Sequence, residues 1–320
     1  MAFFPNITSS DGIWKLRNTS KYIQGQNWTG LAFSGTNAIF GFGFTTTYVN
    51  TITRFDNTGN FISPETTAGT ERWYLAAASY GVDKAIFGFG YTTTYVNTIT
   101  RFDNTGSITG SEGNAGTARY ALAAATYGVD KAIFGFGDFN NTSYNTITKF
   151  DNTGSQIGNE DTAGTTRYGL AAASYGGDKA IFGFGRNGSS YVNTITRFDN
   201  TGTFVSPETT AGTGRYALAA ASYGRDKAIF GFGDNGSDLN TITRFDNTGS
   251  IIGSEGNAGT ARRYLAAATY GGDKAIFGFG EGPASTVFDN ITRFDNTGSI
   301  IGSEGNAGTA RRGPAAASYG

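Results

Sequence analysis

The sequence predicts an all-β fold, a propeller of four-stranded antiparallel blades, on three observations. The phrase AIFGFG recurs at Ala38, Ala85, Ala132, Ala180, Ala228 and Ala275, at spacings of 47 or 48 residues. Each copy sits in a unit of four short apolar or small-residue runs parted by turn-forming Gly, Asn and Asp, and no run has a helical period. The units are near-copies of one another, and four strands at this period is the pattern of propeller blades.

Within a unit the first strand reads LAAASYG, the second KAIFGFG, the third NTITRFD and the fourth SIIGSE or NFISPE. The turn YG-x-DK joins the first pair. Asp-Asn-Thr-Gly joins the third and fourth, with residue types that accept positive φ in tight hairpins. Strict alternation in AIFGFG places the Ala and both Phe on one face, and Ile and the glycines on the other. The first strand is small at nearly every position, so a shallow face can receive the rings of a neighbouring blade. Glycine in the second strand allows close backbone approach.

The chain ends on RRGPAAASYG, a first strand with no second strand after it. Ile13–Gly30 aligns without a gap against Ile291–Gly308. This predicts seven blades within a single domain spanning 1–320. Residues 31–310 supply six repeats, and residues 1–30 combine with 311–320 into a closing blade. Six blades is the alternative. Either closure removes open sheet edges.

Composition narrows the function. Of 320 residues 49 are glycine, aromatics are 14% and charged residues 15%. Such a chain packs a core rather than staying disordered. The formal net charge of −1 offers no basic surplus for nucleic acid. No run of about 18 apolar residues predicts a membrane span, and the N-terminus lacks a basic stretch followed by an apolar one, so no signal peptide is expected. Cysteine and histidine are absent. That excludes disulfides, thiolate metal sites, and Ser-His-Asp or Cys-His catalysis. A carboxylate pair remains chemically open. Yet the available acids, such as Asp103, Asp130 and Glu112, recur blade after blade, and a catalytic pair is normally unique. No enzyme activity and no cofactor or metal are expected.

Repeated charges read as structure. Asp56, Asp103, Asp151, Asp199, Asp246 and Asp295 open the hairpin turns, with calcium binding as the sharper alternative. Arg72, Arg119, Arg167, Arg215, Arg262 and Arg311 precede the first strands and are expected to bond carbonyls or carboxylates between blades. Tyr80, Tyr127, Tyr175, Tyr223 and Tyr270 are expected to pack.

Recognition is expected where the copies differ. The loops between second and third strands should share a rim with the connections between blades, whereas the remaining turns share the other rim. The candidate binding residues on these loops are Tyr48, Tyr91, Tyr95, Phe139, Asn140, Tyr144, Arg186, Asn187, Tyr191, Asp234, Asn235, Asp238, Glu281 and Phe288. Aromatic faces with short polar groups suit sugars and protein surfaces alike.

The unit resembles a kelch repeat. The likeness lies in Arg167, the strand LAAAS, the turn YGGDK, the strand AIFGFG, the loop 186–192 and Arg197-Phe198-Asp199. It departs in its Gly-Phe-Gly in place of a glycine pair, and in lacking the fourth-strand tryptophan. Phrases such as RYGLAAASYGGDKAIFGFG also resemble the glycine-rich propeller repeats of tailed-bacteriophage proteins, including phages of marine cyanobacteria. That resemblance implies a virion component at the tail or in a fibre. Its partners would be other virion proteins, or a protein or glycan of the host surface, met by several copies in a symmetric assembly. The alternatives are a multivalent propeller lectin and a kelch-type interaction scaffold.

Overall fold

The computed structural model describes residues 36–320. These form six four-stranded antiparallel sheets, the blades, each with its first strand next to a common axis. Blade I consists of Ala315–Tyr319, Asn37–Phe44, Tyr48–Phe55 and Phe61–Thr67. Blade II runs from Ala76 to Asn114, blade III from Ala123 to Thr162, blade IV from Ala171 to Thr210, blade V from Ala219 to Asn257 and blade VI from Ala266 to Asn306.

Among the described residues the blades number six, not seven. The C-terminal strand pairs with Asn37–Phe44, in the register Asn37 opposite Tyr319 and Gly41 opposite Ala315. It therefore completes the blade that carries the first AIFGFG; residues 1–30, its expected partners, lie outside the described residues. The reason is a one-to-one match. Six second strands of the AIFGFG type need six small-residue first strands, and the sixth is Ala315–Tyr319.

Hydrogen bonds leave no gap for a further blade. Each first strand carries Ser or Thr at its fourth position, and that hydroxyl donates to the backbone of the preceding blade. Ser79 Oγ donates to Ser318 O (2.9 Å), Ser318 to Thr269 O, Thr269 to Ser222 O, Ser222 to Ser174 O, Ser174 to Thr126 O, and Thr126 back to Ser79 O. A second circle is all backbone. The N–H groups of Tyr74, Gly313, Tyr264, Ala217, Gly169 and Ala121 donate in turn to the carbonyls of Gly313, Tyr264, Ala217, Gly169, Ala121 and Tyr74, at 2.7–3.2 Å. All six residues are left-handed, with φ between 51° and 62°. A third circle joins the turns between first and second strands, from Gly81 N–H to Asp130 O onward to Gly320 N–H and Asp83 O. In it Thr36 O accepts from Gly271 N–H, so Thr36 stands where the other blades have Asp.

The alternation expected in AIFGFG holds only to its first Phe. Phe42, Phe89, Phe136, Phe184, Phe232 and Phe279 have φ of 64–66°, a region bulky residues rarely occupy. In blade I the turn of the backbone moves Phe42 to the side of Ile39 and Ile52, whereas Phe40 stays with Ala38 and Phe55. Successive Phe therefore serve both faces of the blade, and all are fully buried. Rings meet edge-on along each blade, as Phe182 and Phe198 do at 5.4 Å. The reversal costs roughly 1–2 kcal/mol of backbone strain per position, offset by full burial of a ring.

The fourth strands differ with their sequence. FISPETT and FVSPETT make seven-residue strands in blades I and IV, whereas the GSEGN and GNEDT versions pair over only two residues. Edge exposure is thus kept short in four blades, and Pro64 and Pro207 interrupt the donor row in the other two.

Candidate functional site

The repeated arginines hold the connections between blades. Arg167 is 0% exposed. Its Nη1 donates to Glu208 Oε1 at 3.0 Å, its Nη2 to Thr196 Oγ1 at 2.5 Å, and its guanidinium lies 4.3 Å from the ring centre of Phe136 in the preceding blade. Glu208 also accepts from the N–H and hydroxyl of Thr165, in the incoming connection. The arrangement recurs with Arg72, Arg119, Arg215 and Arg262, paired to Glu112, Glu160, Glu255 and Glu304. Arg311 closes the set on Glu65 and Thr53 of blade I. Burial raises the carboxyl of Glu112, but hydrogen bonds from Thr100, Thr70 and Arg72, with the Arg72 charge, outweigh it and bring it to about 2. Glu304 behaves alike. Burial in turn lowers the arginines.

The turn aspartates act locally. Asp199 Oδ1 accepts from the N–H groups of Thr201 and Thr203 and from the Thr201 hydroxyl. The other turns repeat this at Asp56, Asp103, Asp151, Asp246 and Asp295. Among the described residues no group of three or more acids is placed to hold a metal ion. The tyrosines ending the first strands, from Tyr80 to Tyr319, are at most 4% exposed.

The opposite rim is where the copies diverge. There the residue after Gly-Phe-Gly bridges the residue after the repeated arginine. The pairs are Phe44 with Arg312, Tyr91 with Trp73, Asp138 with Tyr120, Arg186 with Tyr168, Asp234 with Tyr216, and Glu281 with Arg263. This crown has two chemical halves.

Over blades I to III it is aromatic. Phe44 meets Trp73 at 5.2 Å, Tyr48 meets Tyr91 at 6.2 Å, and Tyr91 meets Tyr95 at 5.3 Å. Tyr95 in turn touches Tyr120 and, at 4.8 Å, Phe139, which is 36% exposed. Asn140 and Asn141 form the left-handed tip of the hairpin that carries Phe139, and Tyr144 follows it.

Over blades V and VI the crown is charged. Arg263 pairs with Asp234 (3.0 Å), Asp238 (3.4 Å) and Glu281 (2.9 Å), and Arg312 also pairs with Glu281. Asp234 is 5% and Glu281 1% exposed. These two, with Asp238, were candidate recognition residues, and the structure commits them to internal ion pairs. Asn235 and Asn187 are exposed on their loop tips, and Phe288 lies beside Gly282.

Between the halves, Arg186 and Tyr191 face each other across a short hairpin of blade IV. The Arg186 guanidinium lies 5.5 Å from the Tyr191 ring and 5.6 Å from Tyr216. Inside the crown, on the axis, is a cavity of about 250 Å³ lined by Tyr74, Tyr120, Tyr168, Tyr216, Tyr264 and Arg186. Tyr216 and Tyr264 join hydroxyls at 2.9 Å. Burial first, then the neighbouring hydroxyls, raises both phenols far above their ordinary range.

Sequence reasoning overlooked the wall of this cavity. The two positions after each repeated arginine read Trp-Tyr, Tyr-Ala, Tyr-Gly, Tyr-Ala, Arg-Tyr and Arg-Gly, as variable as the loops themselves. That variation next to an invariant arginine was the available signal. No protein-family model matches the chain, and no curated protein matches it.

Proposed function

We propose that this propeller is a non-enzymatic attachment or interaction module, acting through its variable rim as a component of a virus particle. One observation carries the binding part. Differences between otherwise near-identical blades gather on one rim, where they build an aromatic crescent from Phe44 to Phe139 beside an axial cavity. A scaffold under packing constraint alone has no reason to vary there and stay nearly uniform on the opposite rim, which differs chiefly at one turn position (Val82, Val129, Gly177, Arg225, Gly272). Tyr and Trp provide large contact area at low entropic cost. The virion placement rests on the resemblance of the repeated phrases to tailed-phage propeller repeats.

The test is co-purification of tagged protein from infected cells. Recovery with capsid and tail proteins supports the placement. Recovery as a free protein bound only to a sugar column contradicts it.

A second reading, a multivalent lectin, is favoured by two equivalent grooves between neighbouring blades. One, of about 240 Å³, includes Lys149, Asp161 and Phe204, and the other, of about 170 Å³, includes Arg293, Asn306 and Phe61. Weak binding at each would gain from avidity. A glycan array with no retained sugar would remove this reading.

A further inference from the structure

We propose that the axial cavity is a binding site for a single sugar ring bearing a carboxylate, such as the terminal uronic acid of an acidic glycan, with Arg186 as the carboxylate receptor. The proposal deepens the rim reading and rests on it.

The argument starts from charge pairing on the crown. Three arginines stand there: Arg186, Arg263 and Arg312. The last two are neutralised by Asp234, Asp238 and Glu281. Arg186 has no ion pair and no side-chain hydrogen bond among the described residues, and its Nε is buried with no partner. Among the described residues its side-chain partners are the rings of Tyr191 and Tyr216. A guanidinium has five donors in a planar fork, which suits the two oxygens of a carboxylate. The paired arginines share the orphaned Nε, so what sets Arg186 apart is that no carboxylate or carbonyl of the described residues meets its Nη groups.

Position agrees with this. Arg186 lines the cavity and is fixed there by two backbone hydrogen bonds to Tyr168, at 2.8 and 3.0 Å. The rings of Tyr191 and Tyr216 lie within cation–π distance of the guanidinium without using its N–H donors, which leaves those donors for a ligand. The cavity, at about 250 Å³, falls just below the range of drug-sized sites, so one ring suits it better than an extended chain. The surrounding tyrosines offer flat apolar faces with hydroxyls at their ends, which match the alternating apolar and hydroxyl surface of a pyranose. The neighbouring cluster sets three carboxylates against Arg263 and Arg312 and so keeps one excess negative charge, which leaves Arg186 as the group that must supply the attraction for an anion.

Calorimetric titration of the full chain with glucuronate, glucose and inorganic phosphate tests the proposal. Glucuronate should bind at least tenfold more tightly than glucose, and Arg186→Gln should remove that preference while its melting temperature stays that of the wild type. Lys131→Gln, on the opposite rim, should bind as the wild type does. Equal binding of glucuronate and glucose, or glucuronate binding unchanged in Arg186→Gln, overturns the proposal. Phosphate binding without glucuronate binding overturns the sugar-acid assignment. Capture of particle proteins by Arg186→Gln at wild-type level, with no glucuronate binding in either protein, would sink this inference and leave the rim reading standing.

Discussion

The guanidinium of Arg167 shows why residues repeated in every blade are poor candidates for a unique site. Each of its bonds faces another repeated group: a threonine, a glutamate, or the phenylalanine of the blade before. Removing one partner leaves a buried charge without compensation. Glu208→Gln should therefore destabilise the protein by about 3 kcal/mol, read from denaturant unfolding. The same logic fixes an acid limit. The folded protein holds Glu112 and Glu304 at about 2, below the range of an unfolded glutamate. Their contribution is complete above the unfolded value and disappears as pH falls through the folded one. Thermal stability should fall between about pH 4.5 and pH 2, and Glu112→Gln should soften that fall. A melting temperature flat across the window would contradict the role given to these pairs.

At the scale of elements, the C-terminal strand closes the ring. Ala315–Tyr319 is hydrogen-bonded along Asn37–Gly41, and Arg311 grips Glu65 and Thr53. Truncation before Arg311 should abolish the single cooperative unfolding transition. A chain without native cysteine gives a positive test as well. Ala38→Cys with Ser318→Cys, directly opposite in register, should cross-link and raise stability by on the order of 5 kcal/mol, because the bridge closes a very long loop. Failure to cross-link in the folded state would contradict the closure. The strands themselves were legible in the sequence, since each is a repeated phrase bounded by turn residues. The blade number was not, because a gapless match of residues 13–30 to a repeat says nothing of which blade the last strand joins. The side taken by Phe42 and its equivalents was hidden too. A single left-handed residue overturns alternation, and the ring it redirects lies under the arginine of the next blade.

For the molecule as a whole, repetition and variation are sorted in space. Packed phenylalanines, serine and threonine relays and arginine clamps make the ring, and apart from the two forms of the fourth strand the residues that vary gather mainly on one rim. The loops of this rim were visible in the sequence as the places where copies disagree. The cavity was less visible, because its tyrosines come from the connections between blades and meet only once the ring has closed. The ion pairs of the charged half were not visible in the sequence, since the pairing of Arg263 with Asp234 joins residues of neighbouring blades. The most direct test compares two triple variants in capture of particle proteins. Tyr95→Ser, Phe139→Ser and Arg186→Gln together alter the variable rim, whereas Val82→Ser, Val129→Ser and Lys131→Gln alter the uniform one. The first set should lose capture with an unchanged melting temperature, and the second should capture as the wild type does. Loss of capture by the second set alone would contradict the assignment of recognition to the variable rim.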